Sequence, residues 1–109
     1  MGFQVVNKKS FSGQGEFIGR PSVLGNPFHV GRDGSREQVI GKYRQWLWQE
    51  IKQKGKVYNE LIRLAIIEKN TSSLTLVCFC KPLACHGDVI VKAIEWLKLS
   101  SNHSLSEGG

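Results

Sequence analysis

One continuous apolar run, Leu74 to Cys80, constrains the fold of this chain more than any other feature. It reads Leu-Thr-Leu-Val-Cys-Phe-Cys and lies between the polar stretch that begins at Thr71 and the pair Lys81-Pro82. An uninterrupted apolar run of this kind is typical of a strand that is covered on both faces. We therefore predict that this segment is the central strand of a small, mostly parallel sheet.

Apolar residues that recur at helical spacing predict three helices around that strand. The first begins at a capping-box pattern, in which Ser35 is followed three residues later by Gln38, and it should end at Gly55. An apolar stripe that runs from Tyr58 to Ile66 predicts the second helix, and the third should start within His86–Asp88. The first two helices are expected over about residues 36–54 and 58–70.

Two shorter segments, Phe3–Val6 and Glu16–Ile18, have the composition of further strands. Strands and helices in this order indicate an α/β domain, with the small sheet flanked by about three helices in two or three layers. A chain of 109 residues can form one core and is too short for two ordinary ones. We expect a single domain over residues 1–99 and a flexible tail over 100–109.

Composition predicts a cytoplasmic protein with no membrane partner. Apolar residues make up 40% and charged residues 22% of the sequence, as in ordinary globular proteins. The N-terminal apolar stretch is too short for a secretory signal, and no apolar run approaches the roughly 18 residues of a membrane span. Three cysteines within one short segment argue against a disulfide framework and favour a reducing compartment.

The formal charge of +6 leaves two classes of partner open, nucleic acid and a smaller phosphate-bearing ligand. Lysines near the end of the first helix suit the helix dipole and need no functional explanation. Other cations fall in or beside predicted loops, where ligands are usually bound. They are Lys8, Lys9, Arg20, Arg32 and Arg36. Since no nucleic-acid-binding motif is recognisable, we favour the small ligand.

The turn after the central strand, Cys80–Asp88, is the strongest candidate for a functional surface. Ligands of α/β proteins bind beyond the carboxyl ends of the strands, and the first turn of a helix offers N–H groups to anions. Gly87 would let a ligand approach the backbone closely. The candidate catalytic groups are a thiolate at Cys85, an acid/base at His86 and a carboxylate at Asp88. Their structural alternatives are a buried packing residue, a backbone-bonded histidine and a dipole-stabilising carboxylate.

The same segment suggests zinc, because cysteine and histidine are proper zinc ligands. The spacing is poor for such a site. Cys78 and Cys80 would share one face of a buried strand, and the adjacent Cys85 and His86 cannot easily converge on one tetrahedral ion. We therefore predict neither a metal site nor a cofactor, with structural zinc as a minority alternative.

A second candidate is the long loop over residues 19–34, which is rich in Gly, Pro, Asn and Asp. Gly19 and Gly25 permit unusual dihedral angles, and Asn26 is held extended by the proline that follows it. The guanidinium of Arg20 can form paired hydrogen bonds with phosphate or carboxylate. We predict that Arg20 and the helix start at 85–88 share one ligand site. The alternative is an Ω-like structural loop whose arginine only caps or is solvated.

Taken together, these motifs resemble the family called domain of unknown function 4326. The matching segments are Val5–Lys8, Ile18–Pro21, Leu24–Phe28, Tyr43–Leu47 and Cys78–Val89. The resemblance implies a Rossmann-like α/β fold and brings no established activity. The full set of expected ligand-binding residues is Asn7, Lys8, Gly19, Arg20, Gly25, Asn26, Cys80, Cys85, His86, Gly87 and Asp88.

The leading functional hypothesis is binding of a nucleotide or a nucleotide-derived small molecule at the strand-turn-helix site. One alternative is a nucleotide- or nucleoside-processing enzyme, a hydrolase or glycosidase, which would need an acid/base group with a shifted pKa in the cleft. Another is non-enzymatic sequestering or sensing of a signalling nucleotide. A nucleic-acid-binding module is the least favoured. The sequence leaves the ligand, the catalysed reaction and the oligomeric state open.

Overall fold

A computed structural model of the protein describes residues 2–10, 13–79 and 86–108. Three strands and three helices follow one another along the chain. They are β1 (Phe3–Asn7), β2 (Glu16–Phe17), α1 (Arg36–Gln53), α2 (Lys56–Thr71), β3 (Leu74–Cys78) and α3 (His86–Gly108). This architecture confirms the predicted α/β class with a small sheet and three helices.

The sheet is parallel throughout the described residues, and its strand order is β1-β3-β2. Phe3 pairs with Leu74 at one end of β1, and Phe17 of β2 pairs with Val77. The apolar run that we predicted as the central strand is therefore in the centre. Its strand ends at Cys78, so that Phe79 lies just beyond the carboxyl end.

Side chains of β3 alternate between two differently covered faces, as they must in a pleated strand. Leu74, Leu76 and Cys78 are buried in the same apolar cluster as the three helices, which contact one another. On the opposite face Val77 is also buried, beside Gly15, where an added Cβ would lie 2.7 Å from Val77 Cγ2. Helices therefore cover one face of β3, whereas the opposite face is covered only in part, since Thr75 is half-buried and Phe79, just beyond the strand, is exposed.

The start of α1 is fixed by the capping box that the sequence predicted. Gln38 N donates to the Ser35 hydroxyl at 3.2 Å, and Ser35 N donates to Gln38 Oε1 at 2.8 Å. The helix end differs from our expectation, because Lys54 rather than Gly55 adopts the left-handed conformation, with φ 55°. Gly55 instead begins α2 as its N-cap residue.

The buried face of α2 is rotated from the predicted stripe. The buried residues are Val57, Leu61, Leu64 and Glu68, whereas Ile66, which we placed on the apolar face, is exposed. A carboxylate therefore takes the last core position of the helix. It is accommodated because Lys98 of α3 forms an ion pair with Glu68 there.

α3 begins at His86, as predicted, and extends to Gly108. It therefore includes most of segment 100–109, whose flexibility stays a prediction. The Rossmann-like type of the fold also stays a prediction. None of the helices in the described part of the chain has the length and apolar character needed to cross a bilayer.

Candidate functional site

A cavity of about 530 Å³ lies at the carboxyl end of the parallel sheet. It is formed by the loop after β2, the first half of α1, the residue after β3 and the first residue of α3. The described lining consists of Gly19, Arg20, Asn26, Phe28, His29, Val30, Arg36, Val39, Ile40, Phe79 and His86. Cavities of this volume at this edge of a parallel sheet commonly bind small molecules.

The loop after β2 is ordered by hydrogen bonds within itself. Arg20 Nη1 donates to the carbonyl of Asn26 at 2.9 Å, and Phe28 N donates to Asn26 Oδ1 at 2.9 Å. Arg20 thus has the capping contact that we weighed as its structural alternative. Since a guanidinium carries five N–H groups, this bond leaves donors for a ligand. Arg20 and Asn26 both line the cavity.

A buried contact ties the same loop to α1. The Tyr43 hydroxyl donates to the carbonyl of Leu24 at 2.8 Å, and both side chains are buried. Leaving a buried hydroxyl or carbonyl without a hydrogen bond costs free energy, so this contact fixes the position of the loop relative to α1. The wall of the cavity is therefore held from α1 as well as from within the loop.

Two glycines of the loop allow close approach rather than unusual dihedral angles, which corrects our expectation. The positive φ values among the described glycines occur at Gly31 and Gly34. At Gly25 an added Cβ would lie 3.0 Å from Arg20 N, and at Gly19 it would lie 2.6 Å from Phe17 Cζ. Gly19 lines the cavity, whereas Gly25 sits behind Arg20 and does not.

His86 is a buried cavity residue whose imidazole is held on two sides. Nε2 lies 2.8 Å from the carbonyl of Ile18, so Nε2 carries the proton and donates it, and the Tyr43 ring packs edge-on at 5.0 Å. Burial lowers the pKa of His86 from its usual 6.5, and the nearby Arg20 charge lowers the pKa further. The side chain is therefore the backbone-bonded histidine of our structural alternative, and it also faces the cavity.

The two residues after His86 do not line the cavity. An added Cβ at Gly87 would lie 2.7 Å from Val5 Cγ1 and 3.0 Å from Ile18 Cδ1, so the missing side chain lets α3 pack against the sheet. Close approach of a ligand to Gly87 stays a prediction. Asp88 is exposed in the first turn of α3, where a carboxylate suits the helix dipole.

Asn7 and Lys8, also predicted as ligand-binding, form hydrogen bonds that join the ends of the strands. Asn7 Nδ2 donates to the carbonyl of Phe79 at 3.2 Å, and Lys8 N donates to the carbonyl of Cys78 at 2.8 Å. The Lys8 ammonium lies 5.1 Å from the centre of the Phe17 ring. Neither residue lines the cavity. Both contact residues at the end of the sheet and help to position them.

Two of the predicted site residues, Cys80 and Cys85, lie outside the described residues. Cys78 is a free, fully buried thiol in the core. Within residues 2–10, 13–79 and 86–108, no group of three or more His, Cys, Asp or Glu side chains is arranged to hold a metal ion.

The formal charges in the described lining of the cavity are those of two arginines and are both positive. Its described lining contains the guanidinium groups of Arg20 and Arg36 and the imidazoles of His29 and His86, and no carboxylate. The nearby Asp33 is occupied in shaping the loop, since its Oδ2 accepts from His29 N at 2.8 Å and pairs with Arg32. These contacts lower the pKa of Asp33. An anion is the ligand that such a lining favours.

Several lining residues were not among the predicted ligand-binding set. They are Phe28, His29, Val30, Arg36, Val39, Ile40 and Phe79. Arg36 had a usable signal, because it is a cation at the start of a helix next to a functional loop. Phe79 had none, because an aromatic residue at the end of an apolar run has the pattern of a core residue.

One family model matches most of the chain. Its description is "Domain of unknown function (DUF4326)", and it covers residues 4–96. No curated protein and no solved structure matches the chain significantly. The described strands and the described lining of the cavity fall within the matched residues, with the exception of the first residue of β1.

Proposed function

We propose that this chain, which belongs to the family of domain of unknown function 4326, binds a nucleotide or a nucleotide-derived small molecule. The observation that carries the proposal is the cavity at the carboxyl end of the sheet. Its described lining combines cationic side chains, with no carboxylate among them, and aromatic and aliphatic ones. A ligand that suits both the cationic and the apolar side chains has an anionic group and an apolar, preferably planar, ring system.

Phosphate is the anion that the polar half suits best. Arg20 and Arg36 supply planar guanidinium groups, which form paired hydrogen bonds with phosphate oxygens. α1 and α3 both begin at the cavity, and the positive ends of helix dipoles favour an anion there. A nucleoside phosphate would place its phosphate among these groups and its base against Phe28 or Phe79.

A second candidate function is an enzyme that hydrolyses a nucleotide or nucleoside at a phosphate or glycosidic bond. One observation favours it, since His86 lines the cavity and has a lowered pKa. Its Nε2 is already bonded to the carbonyl of Ile18, whereas His29 lines the same cavity from the loop. If the nucleotide is bound and no reaction is catalysed, the function would be non-enzymatic sequestering or sensing.

The three clustered cysteines support the further proposal that this binding takes place in the cytoplasm.

A nucleotide panel separates these functions. The purified protein is incubated with nucleoside mono-, di- and triphosphates, nucleosides and cyclic nucleotides, and is followed by thermal shift and by mass spectrometry of the small molecules. We expect at least one phosphorylated nucleoside to raise the melting temperature, because a ligand bound only by the folded state stabilises it. Unchanged masses indicate binding alone, and a new product indicates the enzyme.

Arg20→Gln tests the site itself with any nucleotide that binds in the panel. The substitution removes the charge and keeps an amide that can donate to Asn26. We expect a loss of about 10- to 150-fold in affinity, from a charge-assisted contact worth about 1.5–3 kcal/mol. Arg44→Gln, which removes an exposed guanidinium outside this cavity, is the matched control and should bind normally. Equal weakening by both variants, or by neither, would contradict the proposal.

A further inference from the structure

We infer that Phe79 is the surface on which the aromatic base of the ligand stacks, so that the site selects nucleoside phosphates from among phosphate-bearing molecules. This inference rests on the proposed function and adds to it the residue that recognises the base. It does not concern how the phosphate is held.

The exposure of Phe79 is the first observation. The side chain is 53% exposed although it directly follows the most buried strand of the sheet, and it lines the cavity. Val30, which is 54% exposed, lines the same cavity from the loop. A single exposed apolar side chain is ordinary on a protein surface. Two of them facing a cavity with cationic walls mark an apolar surface that a ligand could cover.

The second observation is that Phe79 is held in place without being covered. Its ring packs at 76° against the Phe17 ring, with 5.5 Å between the ring centres, and its carbonyl accepts from Asn7. Phe17 is itself fixed, because the Lys8 ammonium lies over its ring and Gly19 approaches its Cζ atom. The edge contact restricts the Phe79 ring, and the Asn7 bond anchors its backbone before a ligand binds, which lowers the entropic cost of stacking.

The chemistry of such a platform predicts its specificity. Stacking uses the π face that every nucleobase has, and it is therefore tolerant of base identity. We expect purine nucleotides to bind somewhat more tightly than pyrimidine nucleotides, because a larger ring covers more of Phe79. A sugar phosphate with no base should lose this contact entirely and keep the contacts of the phosphate with Arg20 and Arg36.

Titration calorimetry with two probes tests the inference. Adenosine 5′-monophosphate and ribose 5-phosphate are each titrated into the wild-type protein, Phe79→Ala and Phe79→Trp. We expect the wild type to bind the nucleotide about 5- to 150-fold more tightly than the sugar phosphate, which is the range for stacking of one base. Phe79→Ala should remove most of that preference without weakening ribose 5-phosphate, and Phe79→Trp should retain it.

Ile66→Ala is the control, because Ile66 is 51% exposed on α2 and lies outside the cavity. This variant should keep the wild-type preference. Equal wild-type affinity for the two probes, or a nucleotide preference that survives Phe79→Ala, would overturn the stacking inference while leaving phosphate binding in place. Failure of both probes to bind the wild type would overturn the proposed function together with the inference. If Phe79→Ala does not fold, Phe79→Leu, which keeps an apolar side chain without an aromatic face, takes its place and should lose the preference.

Discussion

The charged side chains near the two ends of the parallel sheet differ in the groups that surround them. At the amino end, Lys98 is paired with the buried Glu68, and beside the start of β2 Arg63 is paired with both Glu16 and Glu60. At the carboxyl end, Arg20, Arg36 and two imidazoles share a cavity whose described lining has no carboxylate. Lys98 and Arg63, outside the cavity, pair with carboxylates, whereas we propose that the guanidinium groups at the carboxyl end bind an anionic ligand.

Residues at the amino end should matter for folding stability, and residues at the carboxyl end for ligand binding. The Lys98–Glu68 pair lies against the core, where Lys98 is also 5.6 Å from the centre of the Phe3 ring, and its loss should affect folding. The cavity groups are held by contacts that shape a loop, such as the bonds of Arg20 with Asn26 and of Tyr43 with Leu24. Substitutions at the two ends should therefore have different measurable consequences.

The largest effect is expected from Lys98→Met at the amino end. Glu68 is 1% exposed, and its Oε2 has no hydrogen-bond partner among the described residues, so removing the cation leaves a buried charge unpaired. We expect a loss of about 3 kcal/mol or more in the free energy of unfolding, measured by urea denaturation. The double variant Glu68→Leu/Lys98→Met should recover most of the loss, since well-packed apolar side chains often replace a buried pair. Wild-type stability of the single variant would show that the pair is not structural.

Gly87→Ala should give the next largest effect, and it separates packing from ligand approach at the carboxyl end. Its Cβ would overlap Val5 and Ile18, so we expect a loss of about 1–3 kcal/mol in unfolding free energy. Gly41→Ala on α1 is the matched control, because no atom lies within 4 Å of its added Cβ. That variant should gain up to about 1 kcal/mol from helix propensity. If Gly87→Ala is as stable as the wild type but binds nucleotide more weakly, Gly87 contacts the ligand and its packing role is contradicted.

Tyr43→Phe should have a smaller effect that links the core to the cavity wall. It removes the buried bond to the carbonyl of Leu24, and we expect a loss of about 1 kcal/mol in unfolding free energy. Nucleotide affinity should also fall, because the loop that holds Arg20 is then less well ordered. Tyr58→Phe is the control, since the Tyr58 hydroxyl makes no hydrogen bond within the described part of the chain. Equal effects of the two variants would show that the Tyr43 hydroxyl does not hold the loop.

The smallest effect should be a pH dependence that His86 produces. Its pKa in the folded state lies below the usual 6.5, mainly because of burial, so the unfolded chain binds the proton more readily. The stability that the neutral imidazole provides is complete above pH 6.5 and is lost as the pH falls from 6.5 toward the folded-state pKa. Unfolding free energy should therefore be lower at pH 5.5 than at pH 7.5. His86→Gln keeps a donor for Ile18 and should reduce that difference, whereas an unchanged difference would assign it to other groups.

Much of the fold could be predicted because its signals are local. The capping box at Ser35 and Gln38, the spacing of apolar residues in α1 and the run at Leu74 each specify an element from its own sequence. The rotation of α2 could not be predicted in the same way. Glu68 occupies a core position only because Lys98, thirty residues later, pairs with it. Such a contact has no signature within the helix that contains the glutamate.

The cavity was predictable to the extent that topology brings loops together. Residues after parallel strands meet at the same edge of a sheet, and Arg20, Asn26 and His86 do line one cavity. The contacts of Asn7 and Gly87 could not be predicted, because a motif shows which residues matter without showing what they contact. Their partners, the carbonyl of Phe79 and the side chain of Val5, are fixed by the register of the sheet. Nucleotide binding at the carboxyl end of the sheet stays a proposal.

A titration of the ¹⁵N-labelled protein with adenosine 5′-monophosphate, followed by amide chemical shifts, tests the central claim most directly. If the carboxyl end of the sheet binds the nucleotide, the largest shifts will come from the loop over residues 19–36 and from the amides of Phe79 and His86. The amino end, represented by Phe3, Leu74 and residues around Lys98, will change little. Shifts concentrated at the amino end, or no saturable shifts in either region, would contradict the account.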